Sequence, residues 1–424
     1  MINKANAEIA VVGAGVAGLT AAYLLQRRHR VTLFEKNDYP GGHTHTIVLP
    51  DGPDSGTPVD TGFIVMNHRN YPLLTRLFEQ LGVALRDSDM SFGYWDRQTG
   101  LQYAGSDLNT MFAQRRNIVS PRFLGMVRDV LRFYRRANRD LREDAVPATL
   151  TLGDYLRQGG YAQTFVRHHI VPMGAAIWST PAQRMMEFPA RNFLHFFRNH
   201  GLLSLDDRPQ WKTVEGGSHV YVRRMLEQAK IALHLSAPIA GVRRLEQGVE
   251  LVPEQGEPRQ FDAAVLACHA DQALAMLTDP SGPESRLLGA WQYAPNHTAL
   301  HTDATVMPSL RRVWSSWNYV RDAGAADAAA TLSYHMNRLQ RLRAERDYFV
   351  TLNRCAAFPA GSVVAEMNYE HPTYSREALA AQQELPALNG VRRTWFCGSY
   401  FGYGFHEDAV RAGVQVARAF QLDL

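Results

Sequence analysis

The sequence predicts an α/β fold in which a parallel-sheet domain is interleaved with a domain of helices and an antiparallel sheet. Three observations predict it. Residues 9–35 read as strand, glycine turn, helix, strand and acid. Residues 72–205 read as mostly helical, with Leu73, Leu74, Leu77 and Leu81 on one face and a long helix over 123–141. Residues 297–369 carry alternating runs, among them 298–301, 315–320 and 348–352, that suit an antiparallel sheet.

The first of these segments is the most specific. Residues 9–12 are a short buried-strand run, and the turn Gly13, Ala14, Gly15, Val16, Ala17, Gly18 follows it. Gly13 allows the tight turn, Gly15 lets a pyrophosphate approach the backbone, and Gly18 lets the helix pack close to the strand. The helix N-terminus then offers free N–H groups and partial positive charge to phosphates. Residues 31–34 form the second strand. Glu35, followed by Lys36, stands at its end, 22 residues beyond Gly13, where a carboxylate can hold a ribose hydroxyl. This is a Rossmann-like unit. Gly41 and Gly42, followed by His43 and Thr44, come directly behind it; successive exposed N–H groups there can form a second diphosphate cradle. Two cradles favour a longer dinucleotide, FAD, over NAD.

Further along, a Gly216-Gly217 turn leads into a helix over 221–228, short strands alternate over 231–252, 261–267 reads as an apolar strand, and 271–277 as a helix. The tail has a strand at 394–397, a glycine-rich loop over 398–404, and a helix from about 407 to 420. Glu407 and Asp408 in its first turn complement the helix dipole; the same N-terminus could stabilise charge developing on a flavin pyrimidine. Domains assembled from such separated pieces are expected to be discontinuous: residues 1–71, 206–278 and 390–424 for the FAD-binding domain, and 72–205 with 279–389 for the substrate domain.

Composition narrows the class. The chain has 424 residues, 46% hydrophobic and 20% charged, which excludes a disordered or fibrous protein. No run approaches ~18 apolar residues, the length that spans a membrane. The first eight residues are polar, so a cytoplasmic location is expected. Cys268, Cys355 and Cys397 read as separate reduced thiols. A net charge of +4 gives no argument for nucleic acid. His43, His45, His168, His169 and His406 show no metal-ligand pattern, so no metal is expected.

Taken together, residues 13–18, Glu35, Gly41-Gly42, the Gly-Gly segment 213–221, the strand ending at Ala267 and the tail motif 398–413 resemble the FAD-dependent amine oxidase superfamily, which includes monoamine oxidases, phytoene desaturases and protoporphyrinogen oxidases. More closely, residues 59–65 (VDTGFIV), 176–179 (AIWS), 196–203 (FFRNHGLL), 300–303 (LHTD) and 402–408 (GYGFHED) are similar to the flavin oxidoreductases that accompany cyclopropane-fatty-acid synthases. The resemblance implies that the 13–18 turn meets the diphosphate, Glu35 the adenosine ribose, the backbone of Ile239 the adenine, and Gly41 to Thr44 the diphosphate and ribityl chain. Thr61, Gly62 and Phe63, together with Gly398, Ser399 and the 405–410 turn (Phe405, His406, Glu407, Asp408, Val410), would surround the isoalloxazine. Two departures stand out. Ser399 and Tyr400 occupy the place where the superfamily usually has an acid for the ribityl hydroxyls, and none of the four lysines sits in a context that matches the lysine amine oxidases hold near the flavin.

The expected function is therefore FAD-dependent oxidation of a lipophilic substrate, an unsaturated or methylated fatty-acyl chain, in a narrow apolar cavity walled by residues such as Trp178, Tyr403 and Phe405. The alternatives are a flavin amine oxidase and a non-catalytic flavoprotein partner of a lipid methyltransferase. No catalytic base is forced by the sequence. His406 is a candidate acid or base, or else holds the loop; Tyr403 is a second candidate, or else core packing. Nine arginines between 115 and 142, interleaved with apolar residues, either form a solvated face or dock on an anionic membrane.

Overall fold

In a computed structural model, the protein is described over residues 6–178, 182–322 and 331–424; Lys4 and Ser179 lie outside the described residues. A five-stranded parallel sheet runs in the order Thr394–Phe396, Ala263–Leu266, Glu8–Val12, Arg30–Phe34, Ile231–His234. The first strand sits at its centre, paired with Ala263–Leu266 on one side and Arg30–Phe34 on the other. Its interior residues are fully buried, as the apolar run requires of a strand covered on both faces. The helix Val16–Leu25 is buried at every position. It packs against the C-terminal helix His406–Ala419, whose Val410, Val414 and Ala417 are inaccessible.

A second sheet of seven strands runs in the order Val363–Thr373, Gln292–His301, Phe349–Leu352, Thr331–His335, Trp317–Arg321, Phe92–Asp96, Gln102–Ala104. The alternating runs expected at 298–301, 315–320 and 348–352 fall in it, except that the second begins at Trp317 and the third at Phe349. The helical reading of 72–205 needs correction. Phe92–Asp96 and Gln102–Ala104 are strands of this sheet, the former pairing parallel with Trp317–Arg321, and Leu85–Asp87 pairs with Lys212–Val214. Aromatic residues at 92, 94 and 95 pack well on a pleated surface, and that preference prevails over the surrounding helical pattern. Helices begin again at Leu108–Met111 and include the long Pro121–Arg142 and Ala190–Asn199. The apolar run at 261–267 is also two strands. It breaks at Asp262, whose carboxylate accepts the Glu8 N–H at 2.8 Å, so Arg259–Phe261 joins a separate antiparallel ribbon.

The helix Pro72–Leu81 buries Leu74, Leu77, Phe78 and Leu81 in the same cluster as the first helix and the parallel sheet. A second large cluster, rich in aromatics, lies under the helices between Phe123 and Leu203.

Gly18 is where helix and strand touch. A Cβ there would lie 2.0 Å from the Gly13 carbonyl oxygen and 2.9 Å from Ala267 Cβ. Gly18→Ala should therefore destabilise the fold by ~1–3 kcal/mol or more, read as a fall in the urea unfolding midpoint. An unchanged midpoint would remove this contact from the account.

Candidate functional site

The two glycine motifs meet. The Gly41 N–H donates to the Ala14 carbonyl at 2.8 Å, and Gly15 bridges Gly41. Gly13 has φ +102°, and a Cβ on it would strike the Ala267 carbonyl at 2.8 Å. Gly15 differs from both Gly13 and Gly18, because a Cβ there would meet nothing within 4 Å. It caps the first helix with ordinary extended backbone, and Leu19 is the first residue whose N–H bonds back into the helix. The N–H groups of Val16, Ala17 and Gly18 thus have no partner within the helix and face the side where Gly15 leaves space. A diphosphate fits this donor set.

Glu35 lies at the edge of the same space. Its carboxylate accepts the Ala14 N–H at 2.7 Å and the Asn37 N–H at 3.0 Å, which fixes it at the sheet's end. Its backbone N–H goes to His234, and its carbonyl accepts the Ala237 N–H. That bond brings the 236–239 segment, with Ile239, beside the acid. Lys36 is exposed.

The chain then turns back on itself. Phe63 N–H donates to the His43 carbonyl at 2.7 Å and Thr61 N–H to the His45 carbonyl at 2.9 Å. Gly62 must be glycine, since a Cβ would lie 2.1 Å from the His43 carbonyl oxygen. Asp60, next in line, is fully buried and accepts from Thr46, Ser218 (N–H and Oγ) and Gln340. Burial pushes its carboxyl up to about 6. Through Ser218, Asp60 fastens the turn after Gly216-Gly217 to this strand.

That turn delivers Tyr221, which sequence reasoning took only as the start of a helix. Its hydroxyl bonds Thr44 Oγ1 and His406 Nε2, the latter at 2.9 Å; Thr44 Oγ1 also bonds His406 Nε2, at 3.0 Å. The His406 ring stacks on Phe63, with centroids 3.7 Å apart and planes 8° apart. His406 thus holds the first turn of the tail helix through two side-chain hydroxyls.

The two acids behind it are engaged elsewhere. Glu407 accepts the N–H groups of Leu73 and Leu74 at 3.1 and 3.0 Å, capping the helix Pro72–Leu81. Asp408 accepts the Tyr403 and Phe405 N–H groups and pairs with Arg411 at 2.7 Å. Burial raises both carboxyls above their ordinary values. Val410 is core. Gly398 precedes a tight turn through Ser399, whose carbonyl accepts the Gly402 and Gly404 N–H groups.

Three further histidines and two tyrosines complete the wall. His43 faces Tyr369 (5.0 Å between centroids) and His371 (5.3 Å), and His269 stacks on Tyr293 at 4.1 Å. Tyr369 OH also bonds His45 Nδ1 and Thr61 Oγ1. His43, His269, His371 and His406 are all partly exposed as residues. Yet desolvation pushes His43 down to about 4 and the other three to about 3. Partly exposed residues whose side chains are desolvated fit the lining of a recess. His43 Nε2 is buried with no partner, so a ligand atom fits there. Of these residues, Tyr369 and His371 could have been found from the period-two spacing of Met367, Tyr369 and His371. His269, two residues past a strand end, offers a weaker signal.

On the far side of the tail turn stands an aromatic wall. Phe405 stacks on Phe196 at 4.9 Å, Tyr403 meets Phe196 at 6.3 Å, and Trp178 packs on Phe196 and Phe188. Trp178, Tyr403 and Phe405 are therefore brought together. Of the described lysines, Lys36 and Lys230 are exposed and Lys212 pairs with Asp87 at 2.7 Å.

Residues 16–312 match the family model described as flavin containing amine oxidoreductase, and the chain belongs to that family. A 1-hydroxycarotenoid 3,4-desaturase from Flavobacterium sp. strain P99-3 is 33% identical over 98 residues, 23% of this chain; the match spans only 18% of the desaturase. Among solved structures, the CLA-producing fatty acid isomerase from P. acnes matches with a TM-score of 0.70 at 15% identity, covering 98% of each chain. Cyclohexylamine oxidase from Brevibacterium oxydans IH-35A matches at 0.68 and 16%, again over 98% of each chain. Putrescine oxidase bound to putrescine matches at 0.67 and 17%, over 98% of this chain and 99% of that one. These structural matches carry the fold. Family membership makes FAD the cofactor and oxidoreduction the class of chemistry.

Gly15→Val should leave the urea midpoint of the FAD-free protein close to wild type, because the new side chain enters open space. The same variant should lose FAD by filling the diphosphate's place. FAD retention equal to wild type would contradict the cradle.

The cleft histidines also set a pH dependence. Their folded values lie below the ordinary 6.5, so between 6.5 and about 4 the unfolded chain holds protons that the folded chain lacks. Stability should then fall as pH drops through that window. His43→Gln should flatten the slope of unfolding free energy against pH there; an unchanged slope would show that His43 is not desolvated.

Proposed function

We propose that the protein is an FAD-dependent oxidoreductase that removes hydride from a lipophilic substrate, a fatty-acyl chain with an unsaturated or methylated site. When bound, FAD supplies a two-electron oxidant that accepts hydride from a carbon held against the ring. The chain's own part begins with the cofactor. The 13–18 turn and Gly41-Gly42 hold the diphosphate, Glu35 the adenosine ribose, and Ile239 the adenine. Thr61, Gly62 and Phe63 and the turn from Phe405 to Asp408, joined by the stacked Phe63–His406 pair, together form one side of the isoalloxazine site. The N-terminus of the His406–Ala419 helix would offer positive potential to a flavin pyrimidine bound beside it.

The observation that carries the substrate reading is the wall of Trp178, Phe196, Tyr403 and Phe405, to which none of the described lysines belongs. Such a wall excludes water and positions an apolar chain. Neither candidate catalytic residue acts as a base in this reading. His406 Nε2 is committed to the Thr44 and Tyr221 hydroxyls, and desolvation keeps the Tyr403 phenol protonated. Their work is positioning. The carotenoid desaturase and fatty acid isomerase among the similar proteins support a lipophilic substrate.

Anaerobic addition of candidate substrates to the FAD-loaded protein tests this reading. An unsaturated or cyclopropane fatty acid is expected to bleach the flavin absorbance, and simple amines are expected not to. Bleaching by putrescine or cyclohexylamine alone would replace the reading with amine oxidation. Bleaching by neither class would favour a non-catalytic partner of a lipid methyltransferase.

A further inference from the structure

The long helix Pro121–Arg142 has two different faces. Phe123, Met126, Val130, Phe133 and Ala137 are buried, and the helix packs on Ala190–Asn199, which carries Phe196 of the aromatic wall. The opposite stripe repeats at helical spacing as Leu124, Arg128, Leu131 and Arg135, with Arg142 further along the same face.

Two features of this stripe are unusual. First, nine large apolar side chains are exposed among the described residues, and five lie between 108 and 131: Leu108 (77%), Ile118 (51%), Val119 (79%), Leu124 (43%) and Leu131 (38%). Ile118 and Val119 immediately precede the helix, beside Arg115, Arg116 and Arg122. Second, the helix carries seven arginines but only two acids, Asp129 and Asp140, both buried and both bonded to arginine. Arg132 and Arg136 are turned inward. They also bond the Gly159 and Tyr155 carbonyls and lie over the Tyr161 and Tyr155 rings at 5.1 and 4.3 Å. Arg135 bonds only the Leu131 carbonyl, and Arg116, Arg122 and Arg142 have no carboxylate partner among the described residues. A groove of about 630 Å³ runs between Arg132, Arg135, Arg139 and Arg142.

We propose that this face docks on an anionic lipid bilayer, the apolar residues entering the interface and the unpaired arginines meeting headgroup phosphates. Positive charge alone would suit any polyanion. Leucine and valine interleaved with unpaired arginine suit a surface that is apolar below a layer of negative charge. No helix among the described residues is long and apolar enough to cross a membrane, so the contact is peripheral. The inference rests on the lipophilic-substrate reading only for its biological purpose, and its test uses no substrate.

The FAD-loaded protein is sedimented with phosphatidylcholine vesicles and with phosphatidylcholine vesicles containing phosphatidylglycerol. Binding is expected to the second alone, and should disappear near 1 M salt, where the screening length is about 3 Å. Arg122→Glu with Arg135→Glu and Arg142→Glu should weaken binding by at least about a hundredfold, since each arginine near an anionic surface contributes about fivefold. Leu124→Gln with Leu131→Gln should weaken binding several-fold and leave its salt dependence unchanged. Unfolding midpoints and flavin absorbance establish that the variants are folded; if the triple variant is not, Arg135→Gln and the salt series decide. Three results would overturn the proposal: no vesicle binding, equal binding to both vesicles, or a folded triple variant that binds as wild type. Sedimentation equilibrium supplies a fourth, a dimer that the Leu124 and Leu131 changes dissociate, which would assign the face to a second copy of the chain.

Discussion

The carbonyl oxygens of Gly13 and Ala17 each face a glycine where a side chain would collide, Gly18 at 2.0 Å and Gly413 at 2.5 Å. These approaches press the first helix onto the central strand and the C-terminal helix onto the first. Everything at the site follows from that stack. The tail helix can reach Thr44 and Tyr221 with His406 only because Gly413 lets it lie against Ala17. Gly42, whose Cβ would come within 3.2 Å of Gly15 Cα, brings the second glycine pair alongside the first. Gly62 then folds residues 61–63 back over His43. Segments as far apart in the chain as Thr44 and His406, 362 residues, become one wall.

The electrostatics of that wall are those of a poorly hydrated cleft. Desolvation holds four neighbouring histidines well below the ordinary imidazole value, and for His269, His371 and His406 the nearby histidines add to it. The buried carboxylates nearby are satisfied in three different ways: Asp60 by hydroxyl, amide and backbone donors, Glu407 by the open N-terminus of another helix, and Asp408 by its own turn and Arg411. Two helix N-termini supply the positive potential. The result suits an anionic dinucleotide and a ring that gains negative charge on reduction.

The strand–glycine–helix–strand–acid unit was legible because every part is local: a period, a turn residue and a fixed spacing to Glu35. The tail motif was legible for the same reason. The period-two spacing puts Tyr369 and His371 on one strand face, but their roles, like those of Tyr221 and His269, depend on pairings across the fold, and a tyrosine in a strand looks the same whether it faces a cofactor or the core. Glu407 was misleading in an instructive way. An acid in a first turn suggests its own helix dipole, and only the packed structure shows that it caps the helix Pro72–Leu81. The strands at 92–96 and 102–104 were hidden by the helical segments around them: they pair with each other, but 92–96 joins the sheet only through 317–321, more than 200 residues away. The arginine-rich helix was visible as composition, but which arginines are free depends on Asp129 and Asp140 being buried beneath it.

The central claim is that the glycine stack, the Glu35 carboxylate and the His406 turn hold one extended FAD. A crystal structure of the FAD-loaded protein tests it most directly. The account predicts density for the diphosphate against Gly15 and Gly42, the ribose on Glu35, and the isoalloxazine against the stacked Phe63–His406 pair with a polar atom on His43 Nε2. A diphosphate away from Gly15, or a ring outside the cleft lined by His43, His371 and His406, would contradict it.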